Sequence, residues 1–437
     1  MEWFTEKECD RARRIVEEAR RRGAAAVVTL TGGDRSEVEY VAGKLKTVGS
    51  ELRRAFTCRV ILNGRTGSAG GTDPAELPAM FERALALAKI GAVSHFDRLP
   101  EPAEAPPLRL WSESIGRLDR ERMIADAGVI VEGLKQLEPA MEVGGGAAAV
   151  RARSYRVGTS GWEEESGATL WSLAGQYTLA GENDIAMDGA GRAWGEVNAE
   201  YDPAAILAEL TERRRLGARI AEPLEGTYPV LLAPELFRQM LKPFFAGIDG
   251  RAVARGTSPL ADRLGTAIFA SNIDIVDEPH IDFCPDSARY DADGVPTRRT
   301  PLVEHGTLCC FLYDCDTAAM CNTAPTGHDD CAPYHPVIAA GSRPMRELLG
   351  SMRRGLYLRS LMGLWRGNWT NGDFAAAVAI GFVVEKGEIV GRAKDMLISG
   401  NLFERMRGAV ECSSDCETPH GFPWLLMDGV SVARRRG

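Results

Sequence analysis

The sequence predicts an α+β protein in which small N-terminal α/β units precede a β-hairpin-rich C-terminal domain. Three observations carry this reading. Up to about residue 220, helix starts marked by caps or first-turn prolines alternate with short apolar runs of strand length. A proline- and acid-rich crossing at 100–108 (PEPAEAPPL) and the break at Glu222-Pro223 divide the chain into blocks 1–98, 110–221 and 225–437. In the last block, turn pairs such as Asp293-Gly294, His305-Gly306 and Lys386-Gly387 punctuate strand-length runs, because glycine takes the positive φ that tight hairpin turns require.

In the first block, Thr5 and Glu8 have capping-box spacing, and Cys9, Ala12, Val16 and Ala19 share one face of a helix that Gly23 ends. Runs 25–30, 38–41 and 56–62 read as strands, the last turning at Asn63-Gly64. Gly67, Gly70 and Gly71 read as a loop before a helix that Asp73-Pro74 opens and Gly91 closes. The second block offers a helix over 118–137, strands over 147–157, 169–173 and 176–179, and a helix from Asp202-Pro203 to about Ile220. A strand over 228–232 opens the third block, followed by a helical run over 233–245 that Pro243 should kink or end.

The most informative stretch is 290–306, YDADGVPTRRTPLVEHG. Asp293-Gly294 predicts a turn, Pro296 an entry at a strand start or sheet edge, and His305-Gly306 a second turn into the run 308–313. The unit reads as a hairpin carrying Arg298 and Arg299. Strand neighbours point to opposite faces, so only one of the two should face a cavity.

Composition bounds the function. At 437 residues with 45% hydrophobic content, the chain can bury two or three cores. A formal charge of −9 argues against a nucleic-acid or anionic-membrane partner. The start, MEWFTE, lacks a signal peptide's basic and apolar regions, and the longest apolar run, 374–384, is too short to span a bilayer, so a cytoplasmic location is expected.

Six of the ten cysteines fall between Cys284 and Cys331, but no CxxC pair occurs, and small buried hydrophobes are the simpler reading. His328, Cys331 and His335 have ligand types at a spacing that would allow a metal site, although Pro333 and Pro336 make the segment a loop. Cys412, Cys416 and His420 would allow a nucleophile pair, with a plain loop as the simpler alternative. No phosphate-binding loop is present, and Gly144-Gly145-Gly146 lacks the strand-to-helix context of a dinucleotide fingerprint.

The string DGVPTRRTPLVEHGTL and the PTGH at 325–328 are followed by RRGLY at 353–357, NGDF at 371–374 leading to Gly381, and LISGNL at 397–402. Together, and in this order, they resemble the C-terminal blocks of the TldD/PmbA family, in its TldE/PmbA branch; the likeness is clearest over 225–437. The resemblance implies cytoplasmic peptide hydrolysis by a pair of subunits, of which the TldD-type carries zinc. In that subunit the strand and helix opening the last block carry HExxxH, two zinc-binding histidines with a glutamate as general base. Here the run reads APELFRQMLKPFFAG, no histidine lies between His95 and His280, and no histidine precedes a glutamate.

The resemblance therefore implies a non-catalytic chain, with no catalytic residue, metal ligand or cofactor of its own and zinc in the partner. It implies a heterodimer with a TldD-type subunit, a homodimer when alone through the same mainly apolar surface, and an extended peptide or peptide-like substrate. Arg298, Arg299 and the Gly400-Asn401 turn are the candidates to line the substrate cleft. Two other classes remain open: an independent metal-dependent hydrolase acting on peptides or small-molecule amides, and a stand-alone regulatory binding protein, as the family's older description as a gyrase modulator suggests.

Overall fold

The computed structural model describes residues 3–182, 184–198, 201–416 and 421–434. It divides into two compact units, the first comprising 1–211, 279–298 and 314–329, the second 212–278, 299–313 and 330–437. Helices and strands are segregated as an α+β fold requires.

The first unit is built on one antiparallel sheet of β1 (Ala25–Val41), β2 (Lys44–Leu62), β3 (Arg65–Gly71), β4 (Glu142–Gly158), β5 (Glu163–Ala180) and β6 (Ile185–Trp194), in the order β3-β2-β1-β4-β5-β6. Blocks 1–98 and 110–221 thus meet in a single sheet, three strands from each. Thr5 and Glu8 close the expected capping box on helix Glu6–Arg21, whose Cys9, Ala12, Ile15, Val16 and Ala19 are buried with Phe81 and Ala84 of helix Leu77–Ala88. A second cluster gathers Met123, Ile130 and Leu134 of helix Arg120–Leu137, Ile206 and Leu210 of helix Pro203–Leu216, and Trp171 and Leu173 of β5.

The strands outrun their sequence signals. Residues 31–37 (TGGDRSE) look like a break, yet β1 is continuous because its ladders with β2 and β4 hold polar positions whose side chains face solvent. β5 likewise joins the two runs read over 169–179, and β6 was not foreseen. Gly67, Gly70 and Gly71 belong to β3 and not to a loop. A Cβ on Gly67 would lie 2.1 Å from the Ala84 carbonyl oxygen, so the glycine lets helix and strand backbones touch.

In the second unit β7 (Gly226–Leu232) leads to two short helices, Pro234–Met240 and Lys242–Gly247, broken at Leu241 just before the expected Pro243. β8 (Ile275–Asp277), β9 (Thr300–Glu304), β10 (Thr307–Leu308) and β11 (Pro336–Ile338) form a four-stranded sheet in the order β10-β9-β8-β11. The larger sheet contains β7, β12 (Arg354–Met362), β13 (Asp373–Glu385), β14 (Glu388–Arg392), β15 (Met396–Asn401), β16 (Val410–Cys416) and β17 (Pro423–Arg434). Its path β12-β7-β17-β15-β13 returns to β12, so these strands close into a ring with no free edge between them; only β7–β12 is parallel. His305-Gly306 and Lys386-Gly387 make the expected hairpin turns with positive φ at all four residues.

Among the described residues, no helix is long and apolar enough to cross a membrane.

Candidate functional site

In helix Pro234–Met240 the 3.6-residue period turns Leu236, Phe237 and Met240 into the core, all fully buried, and leaves Glu235, Arg238 and Gln239 outside. Phe237 meets Phe422 edge-on with centroids 5.7 Å apart, and Glu235 accepts from Gln239 at 3.1 Å along the exposed face. The inward face that would have to offer imidazoles is hydrocarbon and thioether, so these residues do not fit a zinc ion.

A groove of about 520 Å³ lies on the four-stranded sheet of the same unit. Val276, Pro301 and Val337 give it an apolar floor, backed by the core residues Ile275 and Val303, while Arg299, Asp274, Glu304 and His305 stand at its sides. Arg299 is 64% exposed and is steadied by Glu278, Nε to Oε2 3.3 Å. Asp274 accepts the backbone N–H of His305 and so fixes the β9–β10 turn at the groove's end. Asp277, fully buried, accepts the N–H groups of Tyr334 (3.1 Å) and His335 (2.7 Å), which sets the turn into β11. β11 is the last strand of its sheet, so the groove ends at an edge. Charged groups around an apolar strand surface suit binding an extended chain.

The arginine pair is not on a strand. β9 starts only at Thr300, and Arg298 and Arg299 are both exposed in the segment ahead of it, so strand alternation does not separate them. The hairpin expected around Asp293-Gly294 does form, but it is local: Tyr290 bridges Pro296, Gly294 takes φ +87°, and Thr297 donates from N to the Arg289 carbonyl at 3.0 Å. The run expected over 308–313 is a strand only at Thr307–Leu308.

Gly400 and Asn401 have local structural work. Asn401 caps helix Leu402–Arg407, accepting from the Glu404 N–H at 3.1 Å, and donates to the Asn371 carbonyl (2.9 Å) and to Asp373 (2.8 Å). A Cβ on Gly400 would lie 2.9 Å from the Phe374 ring. His328 is fully buried, its Nδ1 2.9 Å from the Thr326 hydroxyl, while Cys331 is buried and His335 half-buried. Among the described residues, no three His, Cys, Asp or Glu side chains form a metal-holding group. Burial pushes the Cys412 thiol up to about 12, away from nucleophilic use, and His420 lies outside the described residues. All ten cysteines are free thiols.

One constellation escaped the sequence reading. In the first unit Asp291 is 1% exposed and accepts the N–H groups of Asp293 and Val295, both at 2.9 Å. Burial, then the nearby Asp293 and Asp329 carboxylates, push its carboxyl up to about 7 against the pull of those two N–H groups. Arg59 of β2 pairs with Asp293, and Arg156 of β4 reaches the Asp291 carbonyl at 2.9 Å and Glu164 of β5. The D-A-D spacing in the turn was the available signal; the distant arginines that make it a cluster were not.

The PmbA/TldA metallopeptidase C-terminal domain matches residues 225–434, and domain 1 of the same family matches residues 26–88. The chain belongs to the TldD/PmbA family. A metalloprotease of Methanothermobacter thermautotrophicus is 24% identical over 407 residues, covering 87% of this chain and 86% of that protein. Metalloprotease PmbA of Escherichia coli O157:H7 is 30% identical over 190 residues, 44% of this chain and 42% of its own. Two crystal structures share the fold: a candidate modulator of a DNA gyrase from Thermotoga maritima (TM-score 0.89, 21% identity, 97% and 99% covered) and TldE from Thermococcus kodakarensis (TM-score 0.87, 19% identity, 97% and 100% covered). This TldD/PmbA chain is thus metallopeptidase-like by family.

Proposed function

We propose that this TldD/PmbA chain is a non-catalytic, TldE-like subunit that pairs with a TldD-type zinc subunit, forming a heterodimer that hydrolyses amide bonds in extended peptides or peptide-like molecules. The observation that carries the reading is helix Pro234–Met240, which buries Leu236, Phe237 and Met240 where the zinc-bearing subunit needs ligands. The chain's part is to hold substrate. The groove beside Arg299 accepts an extended segment along strand surface and edge, so that one carbonyl of the substrate is presented to the partner's zinc; positioning of this kind lowers a barrier without any reacting group on the positioning subunit. Zinc belongs to the partner, the complex works in the cytoplasm, and without the zinc subunit the chain self-associates as a homodimer.

Elemental analysis and peptide-cleavage assays test this on the purified chain and on the chain co-expressed with a TldD-type subunit. The expected result is no stoichiometric zinc and no cleavage alone, with cleavage by the co-purified pair. About one zinc per chain together with chelator-sensitive hydrolysis by this chain alone would overturn the reading in favour of an independent hydrolase.

A further inference from the structure

β2 is laddered to β1 over residues 44–61, whereas β3 covers only its last stretch, Phe56–Leu62. Residues 44–55 therefore form an open sheet edge, about 40 Å long at roughly 3.3 Å per residue. All of them are exposed except Thr47 and Gly49, which are half-buried. An edge of this length is a template for another strand unless the sequence blocks it.

The side chains along the edge are ordered. The β1–β2 register slips once, at Lys46, so that Val38 faces Val48 while Tyr40 faces Leu45, and Asp34 faces Leu52. Positions 34, 38 and 40 of β1 share one face of the sheet, and cross-strand partners share it with them. Leu45, Val48 and Leu52 consequently lie on a single face despite their mixed spacing, and they are 44%, 40% and 61% exposed. On that face Val38 and Tyr40 belong to the core beneath helix Arg120–Leu137, and the apolar stripe runs from there off the open edge.

The edge is self-complementary. In an antiparallel pairing about a two-fold axis through Ser50, perpendicular to the sheet, each face of one copy continues into the same face of the other. Val48 then stands opposite Leu52 of the second copy, and Leu52 opposite its Val48. On the other face Thr47 stands opposite Arg53 and Gly49 opposite Glu51; Lys46 stands opposite Arg54, whose charge the Glu8 carboxylate of its own copy offsets at 2.6 Å. Moving the axis to Glu51 sets two carboxylates face to face, and moving it to Gly49 sets Val48 against Ser50 and loses the apolar match. Within one copy, Glu51 pairs with Arg53 at 2.8 Å and Glu8 with Arg54 at 2.6 Å, which neutralises the edge arginines. The pairing ends where β3 begins at Phe56.

We propose that two copies of this chain associate by pairing residues 44–55 of β2 with each other, antiparallel about Ser50, into one sheet spanning both copies. This rests on the self-association stated above and makes no use of the zinc-subunit pairing.

The test is mass by light scattering at micromolar concentration for the wild type and for two double variants, Val48→Lys with Leu52→Lys and Val48→Glu with Leu52→Glu. These side chains are exposed in the single chain, so the fold, checked by circular dichroism, should be kept. The wild type is expected to run as a dimer, each double variant as a monomer, and their equimolar mixture as a dimer, because opposed lysines or opposed glutamates repel while the mixed pair attracts. A monomeric wild type overturns both this proposal and the self-association reading. A dimer that persists in both variants overturns the β2 pairing alone and moves self-association to another surface. Monomeric variants that fail to recombine overturn the Ser50 register. Independently of any variant, backbone amides in 44–55 should gain exchange protection as the wild type is concentrated; unchanged protection in a dimer overturns the proposal.

Discussion

Replacing Asp291 by asparagine should make the first unit more stable in mild alkali and leave it almost unchanged in acid. The folded chain holds the Asp291 carboxyl near 7, against an ordinary value of 3.8, because ionising it adds a charge to a buried turn beside Asp293 and Asp329. A group raised in the folded state contributes stability that is fully present below its ordinary value and is lost as the pH rises through the folded one. The window is therefore about pH 4 to pH 7, with a slope of roughly 1.4 kcal/mol per pH unit from this one group. The whole penalty is at most about 4 kcal/mol. Asparagine keeps the oxygen that accepts from Asp293 and Val295 but cannot ionise. Urea unfolding of the two proteins at intervals from pH 5 to pH 8.5 isolates the effect, since every other titrating group is common to both. The asparagine variant should gain on the wild type as the pH rises and level off above about pH 8, with the largest gain in exchange protection at the amides of residues 293–297. Unfolding curves that run parallel at all pH values would show that Asp291 does not titrate in this window and that the cluster is held differently.

Three further outcomes are expected. In the reconstituted complex, Arg299→Ala should lower turnover about tenfold or more, roughly 1.4 kcal/mol in the barrier, while Arg298→Ala is nearly silent and neither changes zinc content; steady-state peptide hydrolysis and elemental analysis check this, and equal, negligible effects would make the segment structural. Asn401→Ala removes the cap of helix Leu402–Arg407 and two donated hydrogen bonds, and should cost about 2 kcal/mol in urea unfolding; a variant of full stability but lost substrate affinity would return Asn401 to the cleft. Gly67→Ala should cost about 1–3 kcal/mol in thermal unfolding of the first unit, because the new methyl meets the Ala84 backbone, which has no rotamer with which to yield.

Much of the secondary structure was legible because its causes are local. The capping box at Thr5 and Glu8, the break ahead of Pro243, and the turns at Asp293-Gly294, His305-Gly306 and Lys386-Gly387 each follow from one or two residues whose φ or donor chemistry permits little else. The strands were harder. Residues 31–37 and 44–55 are polar enough to read as breaks, and only the neighbouring ladders of β1, β2 and β4 make them sheet. Gly67 and Gly70 read as loop residues because their reasons, the approach of helix Leu77–Ala88 to Gly67 and of the Phe56 carbonyl of β2 to Gly70, lie elsewhere in the chain.

For the site, the sequence by itself determined what the helix after β7 is made of. Leu236, Phe237 and Met240 cannot coordinate zinc in any fold, because ligand chemistry belongs to the residue type and no packing supplies it. Only the tertiary structure decided what the polar candidates do. It put Asn401 to work as a helix cap, withdrew His328 into the interior, set Arg299 beside a groove ahead of β9, and gathered Asp291, Asp293, Asp329, Arg59 and Arg156 from four separate stretches of chain. The physical reason is range. Turn and helix signals are fixed by neighbours a few residues apart, whereas a charge's partner, a carboxyl's burial and an open strand edge depend on what the folded chain brings alongside them.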